Sequence, residues 1–365
     1  MNHTLLAISL SSIANSMHQS LQAMLGDGFA LTATEMLLQG LSLIVFLVIL
    51  CFYLGWMERR VAAFMQIRLG PNRVGPQGTL QIIADTIKLL LKEGLTPNSS
   101  DKFLFNLAPM IMVITSFLVV APLAFSKDFQ LWDINIGILY VSAVSSISVI
   151  GILMAGWSSN NKYSLLGAMR SGAQLVSYEL SIGLSLISIV ILTGSLQMSD
   201  IINSQSNGWW LFKGHIPVII SFVIFIIAST AEINRAPFDL AEAEQELTAG
   251  FHTEYSGMKF AMFLLSEYIN LFIASAIAAT IFLGGWMPLH LGNFEAFNHV
   301  MDYIPGFVWF MGKTMFIIFI IMWFRWTFPR LRVDQLLNLE WKYLLPISMI
   351  NTIFITIIAI YGWHF

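Results

Sequence analysis

Long apolar runs alternate with shorter polar connections along most of the chain. Eight such runs lie near residues 37–57, 103–125, 136–157, 175–195, 216–232, 259–284, 307–325 and 343–363. Each has about the length a helix needs to cross the hydrocarbon core of a bilayer. One further stretch follows a different rule. Between Gly78 and Glu93, the residues Leu80, Ile83, Ile87, Leu90 and Leu91 share one helical face, while Gln81, Asp85, Lys88 and Lys92 line the other. Lys88 and Lys92 suit the C-terminal end of such a helix, and Gly94 can end it. It is too short and too charged to span, so it belongs along the membrane surface. On pattern alone a membrane-hugging linker explains it equally well. The fold class is an all-α polytopic membrane protein: eight transmembrane helices plus a cytoplasmic-side amphipathic interfacial helix.

Composition agrees, with 57% of residues hydrophobic and only 11% charged, against about a quarter charged in soluble domains. A net charge of -3 gives no basic surface for nucleic acid. The basic residues orient the chain. Fifteen Lys and Arg fall on the connections of one side and only Lys127 and Lys213 on the other, while Lys313 falls inside the seventh run. By the positive-inside rule the basic side is cytoplasmic and both termini are outside; an even number of spans, which puts the termini on the same side, agrees. The domain organisation is then an N-terminal non-cytoplasmic extension, 1–35, and an eight-helix membrane domain, 36–365. Within that domain, 58–102 is the first cytoplasmic loop, 158–174 and 326–342 are further cytoplasmic connections, and 232–258 is an acidic one. No internal repeat is visible, which argues against an inverted-repeat transporter.

Cys51 is the only cysteine, so the chain forms no internal disulfide and cannot by itself hold a cluster that needs four thiolates. None of the seven histidines lies deep within an apolar run, which argues against a buried bis-histidine haem. Electron transfer would need a diffusible partner or a cofactor from another subunit.

The acids are the most informative polar residues. Between Ala231 and Tyr268 stand Glu232, Asp239, Glu242, Glu244, Glu246, Glu254 and Glu267, against only Arg235 and Lys259. A solvated acidic loop is the commoner reason for such a run. Here, however, the acids are interleaved with Ala, Pro, Phe and Leu, and they lie on the side where basic residues are favoured. Glu242 and Glu246 would share a helix face, where like charges repel and raise one another's pKa. Crowded, partly buried carboxylates near Arg235 are candidates for proton exchange. Glu179 and Glu267 lie within apolar runs, where a charge costs about 2.5–3.5 kcal/mol on insertion scales. Each is a candidate for a proton or ion path, or for a satisfied structural pair. Lys313 is a similar oddity.

The motifs Glu58-Arg59-Arg60, Gln66 through Pro76 (QIRLGPNRVGP), the Ala84-Asp85…Lys88…Glu93 helix, and Ala231 through Leu240 (AEINRAPFDL) on to Glu254-Tyr255 are specific. They closely resemble the bacterial H-subunit family of the proton-pumping NADH:quinone oxidoreductase, respiratory complex I, over residues 36–363. The resemblance implies a chain that carries no flavin, haem or iron–sulfur cluster and has a quinone, ubiquinone or menaquinone, as substrate. It implies that the chain forms the membrane side of the quinone chamber. Arg59, Arg68, Arg73, Asp85 and Lys88 would stand near the opening to the bilayer and the peripheral subunits. It also implies a proton-coupling chain through Glu232, Arg235, Asp239, Glu242, Glu244, Glu246 and Glu254, continued by Glu179 and Glu267 toward antiporter-like subunits. Implied partners are the peripheral-arm quinone-site subunits, small membrane-arm subunits and the lipid of the bacterial inner membrane. Residues 1–35 lie outside the resemblance. The competing readings are the homologous component of a membrane-bound hydrogenase or ferredoxin-driven complex, and a stand-alone proton or cation transporter.

Overall fold

The computed structural model describes residues 16, 18–22, 28–127, 129–206, 208–240, 248–290 and 294–362. All eight apolar runs are helices long and apolar enough to cross a membrane. In hydrocarbon, backbone polar groups must be satisfied internally, and a helix does this within one segment. The spanning helices are α1 (Phe29–Met65), α3 (Lys102–Val119), α4 (Gly137–Ser158), α5 (Lys162–Thr193), α8 (His215–Glu232), α9 (Met258–Phe282) and α11 (Gly306–Thr327). The eighth span is built from α12 (Val333–Leu339), a π turn at Glu340–Leu344 and α13 (Leu345–Ile360). The predicted interfacial helix is α2 (Gln81–Leu91), with no buried residue. Short helices α6 (Met198–Asn203), α7 (Trp210–Lys213) and α10 (Glu295–Met301) lie in the connections, as does an antiparallel hairpin of β1 (Ala124–Ser126) and β2 (Phe129–Gln130).

Three boundaries differ from expectation. Helix α1 starts at Phe29 and so takes in the end of the predicted 1–35 extension. It has 37 residues, about 55 Å at 1.5 Å per residue, far longer than the hydrocarbon core. The connection expected at 158–174 shrinks to residues 159–161, because α5 begins at Lys162 rather than near 175. Asn161 caps it, its side chain accepting from Tyr163 N at 2.9 Å. The buried face of this first part is Ser164, Gly167, Ala168 and Ser171, a stripe of small residues that a hydropathy pattern passes over. The connection expected at 326–342 likewise shrinks to residues 328–332.

Small residues set how closely α4 and α5 approach. A Cβ added at Gly156 would meet the Ala168 Cβ at 2.2 Å, so glycine is required there for the crossing. The main core joins Leu47 and Leu54 of α1 to Phe225 of α8, Phe272 and Phe282 of α9 and Phe310 of α11. Outward-facing Ile44, Ile49, Phe316 and Ile353 remain exposed, as befits helices solvated by lipid tails.

Candidate functional site

Alternating helix directions bring the α1–α2 connection, the end of α8, the start of α9 and the end of α11 to one end of the bundle. There α2 is pinned to α1. Arg59 Nη1 donates to Asp85 Oδ2 at 2.6 Å, Gln81 donates to Asp85 Oδ1 at 3.1 Å, and Lys88 Nζ stands 4.0 Å from the same carboxylate. Burial pushes the Asp85 carboxyl up, but the hydrogen bonds from Arg59 and Gln81 and the charges of Arg59 and Lys88 outweigh it and hold it below the usual range. Trp56 Nε1 and Arg60 Nη1 donate to the Gln77 carbonyl and side chain at 3.2 and 2.9 Å. Three of the five basic and acidic residues expected here, Arg59, Asp85 and Lys88, therefore meet. Arg68, which donates to Gln66 at 2.6 Å, and Arg73 are exposed on the connection instead. The apolar residues Leu80, Ile83, Ile87, Leu90 and Leu91 of this segment are all exposed.

Beneath this helix lies a charged knot. Glu58 Oε1 accepts from Arg235 Nη1 at 2.6 Å and also from Arg325 Nη1. The Arg235 guanidinium lies 4.9 Å from the Tyr268 ring centroid. Asp239 Oδ2 accepts from Arg330 Nη2 at 2.6 Å. The loop carrying Arg235 and Asp239 is fixed from two sides. Gln174 Nε2 donates to the Ala231 and Phe238 carbonyls, both at 2.8 Å, and Leu331 N donates to the Pro237 carbonyl at 3.1 Å. A cavity with about 130 Å³ open to water-sized molecules is lined by Asn234, Arg235, Asp239, Glu267, Tyr268 and Arg325, with Ala236 and Leu264.

A second cavity lies deeper in the bundle. It offers about 60 Å³ to water-sized molecules and holds both Glu179 and Glu232, among Thr115, Ser116, Ser142, Ser145, Ser148 and Asn270. At roughly 15 Å³ per molecule that is room for a few waters. Ser146 Oγ donates to Glu179 Oε1. Consecutive residues line the two cavities: Glu232 and Ile233 the deeper one, Asn234 and Arg235 the outer one. On α9, Glu267 faces the outer cavity and Asn270, one turn on, the deeper one.

The acids expected to act together thus separate. Glu179 pairs with Glu232, not with Glu267, which joins Arg235 and Asp239. Glu254 stands apart, accepting from Asn161 Nδ2 at 2.6 Å beside the start of α5. Glu242, Glu244 and Glu246 lie outside the described residues.

A model of the family described as NADH dehydrogenase matches residues 38–356. The chain belongs to the NADH dehydrogenase family. It is 56% identical over 355 residues to the NADH-quinone oxidoreductase H-subunit of Bacteroides fragilis, covering 97% of this chain and 99% of the relative. The H-subunit of Bacteroides thetaiotaomicron is 54% identical with the same coverage. NADH-quinone oxidoreductase subunit 8 of Rhodothermus marinus is 48% identical over 327 residues, covering 87% and 96%.

Within the region matched by the NADH dehydrogenase family, the structure adds residues that sequence reasoning passed over. Glu58 and Glu340, only 5% and 0% exposed, are the most buried carboxyls among the described residues. Glu58 was legible only as part of a motif, and its partner Arg325 and the Asp239 partner Arg330 only as markers of sidedness. Glu340 begins the π turn and accepts from Ser181. Its signal was a lone acid four residues from each of the buried apolar Leu336 and Leu344. Lys313, read from sequence as an oddity of the same kind as the buried acids, is a structural clasp. Its ammonium donates to the carbonyls of Leu283, Gly285 and Met287 at 2.5, 2.9 and 2.6 Å and lies 4.3 Å from the Trp209 ring centroid. It satisfies backbone acceptors at and just beyond the C-terminal end of α9, where a cation is favoured.

Proposed function

We propose that this chain is the membrane subunit of a proton-translocating NADH-quinone oxidoreductase that forms the membrane side of the quinone chamber and couples quinone reduction to proton movement. The observation that carries the reading is the run of two adjoining cavities. The outer one is lined by Arg235, Asp239, Glu267 and Arg325, and the deeper one by Glu179 and Glu232. The amphipathic helix α2 supports an opening for a lipid-soluble substrate. Its apolar residues are exposed, free to meet lipid, and its polar face is pinned to α1 through Arg59 and Asp85.

Reduction of a quinone, ubiquinone or menaquinone, to the quinol takes up two protons and changes the local charge. The chain's own residues would answer that change. Arg235 and Arg325, held on Glu58, keep positive charge at the chamber wall. Asp239 and Glu267 line the same space, and Glu232 sits where the two cavities adjoin. Glu179 continues the path between the helices. A proton gained or lost at one carboxyl changes the field at the next, so a change in the outer cavity would reach Glu232 and then Glu179. Flavin and clusters belong to partner subunits in this reading, and the neighbours are the peripheral-arm quinone-site subunits and small membrane-arm subunits. Residues 36–365 would be the membrane domain, lying in the bacterial inner membrane with both termini on the non-cytoplasmic side. Glu242, Glu244, Glu246 and Glu254 remain candidates for the segment facing the chamber, and Arg68 and Arg73 for contact with the peripheral subunits.

The test replaces Glu179, Glu232 or Glu267 by Gln in the assembled enzyme. Proton translocation driven by NADH in membrane vesicles should fall at least tenfold, with charge-retaining Asp replacements milder. Variants that assemble normally and pump at the wild-type rate would refute the reading.

A further inference from the structure

Adjacent hydroxyls on α4 stand between the two carboxyls of the deeper cavity. Ser146 Oγ lies 2.8 Å from the Ser142 carbonyl oxygen and also donates to Glu179 Oε1. Ser145 Oγ lies 2.9 Å from the same carbonyl and faces the Glu232 carboxyl. Each hydroxyl has a single hydrogen to give and two acceptors within reach of it. We propose that Ser145 and Ser146 are positioning residues that tie Glu232 and Glu179 into one proton-exchanging pair, each serine turning its hydroxyl between a carboxyl and the Ser142 carbonyl. The proposal rests on the proton-coupling role given above to those two acids and names what joins them.

The chemistry follows from the two states of a carboxyl. When Glu179 is ionised it is the stronger acceptor and takes the Ser146 hydrogen. When Glu179 carries a proton, it donates to Ser146 Oγ, and the serine hydrogen turns back to the Ser142 carbonyl. Ser145 does the same for Glu232. The Ser142 carbonyl already accepts the Ser146 backbone N–H within α4, so its second lone pair receives one hydroxyl at a time, which suffices for a pair that shares one proton. No buried polar group is stranded in either state, which removes the penalty that would otherwise oppose the exchange. Passing a proton from Glu179 to Glu232 breaks one O–H bond on the first and forms one on the second. The total charge of the pair is unchanged and the serines keep their own hydrogens. Glu179 from α5 and Glu232 from α8 are the titratable side chains lining this cavity among the described residues, while α3 and α9 face them with Thr115, Ser116 and Asn270.

The experiment compares Ser145→Ala, Ser146→Ala, the double variant and the corresponding Thr variants in the assembled enzyme, in membrane vesicles. Proton translocation is followed from pH 5.5 to 8.5, beside Glu179→Gln and Glu232→Gln. Alanine is the better helix former, so assembly should persist. The double Ala variant should translocate protons about tenfold more slowly, with its pH profile moved by about one unit. Thr, which keeps a hydroxyl, should return both to within twofold of wild type. If the double Ala variant matches wild type in rate and profile while the Gln variants fail, the serine proposal is wrong and the carboxyl reading stands. A loss in Ala that Thr does not restore also overturns it. If the Gln variants pump normally, the coupling reading falls and takes the serine proposal with it.

Discussion

Removing Arg235 isolates the energetics of the charged knot. Glu58 and Arg235 have side chains 7% and 10% exposed and meet at 2.6 Å, while Arg325, the second partner, is 32% exposed. At an effective dielectric of about 20, a pair at this distance attracts by roughly 6 kcal/mol, and the desolvation of both ions offsets much of that. Deleting one member of a buried pair removes the attraction but not the desolvation, and typically costs about 3–5 kcal/mol. Arg235→Met preserves much of the side-chain volume and leaves Glu58 with the more solvated Arg325 and the neutral Tyr268 hydroxyl, so it should fall in that range. Arg325→Met should cost about 1 kcal/mol, because water can reach that guanidinium. Adding Glu58→Gln to Arg235→Met removes the stranded charge and should recover about 2 kcal/mol, a coupling readable from a double-mutant cycle. The assay is thermal inactivation of the assembled complex in native membranes, with the amount of assembled complex measured in parallel. Equal losses for the two arginine variants, or no recovery on adding Glu58→Gln, would refute the reasoning.

Lys313→Met should destabilise the chain by on the order of 3 kcal/mol, since it strands three carbonyls beyond α9, while protons moved per NADH stay at wild type; a stable variant that no longer pumps would contradict the clasp reading. The Asp85 carboxyl, held below its usual range, supports the docking of α2 at every pH above the unfolded value near 4 and loses that support only as pH falls through its lower folded value. The protection factor of the α2 amides, with the pH dependence of intrinsic exchange divided out, should therefore be flat from pH 5 to 8 and fall only below about pH 4. Because Arg59 is 48% exposed, Arg59→Ala should cost less than about 1 kcal/mol, read from the same exchange. Gly156→Ala would drive a Cβ to 2.2 Å from Ala168 and should cost about 1–3 kcal/mol in thermal stability. Gly40→Ala, with nothing within 4 Å, should be neutral or stabilising by roughly 0.5–1 kcal/mol.

Eight spans, one surface helix and the acidic segment were legible in the chain because each follows from a local rule. An apolar run of sufficient length becomes a helix in lipid whatever its neighbours are, and an amphipathic repeat shows its two faces without them. The first part of α5 was hidden, since Ser164, Gly167, Ala168 and Ser171 are buried by close approach rather than by hydrophobicity. Which charges meet was also beyond the sequence. Glu58 finds Arg235 and Arg325 at separations of 177 and 267 residues, and Glu179 shares a cavity with Glu232 rather than Glu267 because of how α4, α5 and α8 pack. Ion pairing and cavity formation depend on distances between helices, and those are set only when side chains from distant segments interlock. Sequence by itself determined which segments enter the membrane and where the acids are concentrated. The tertiary structure decided which acids are neutralised by arginine, which face a cavity, and that Lys313 binds backbone carbonyls instead of joining them.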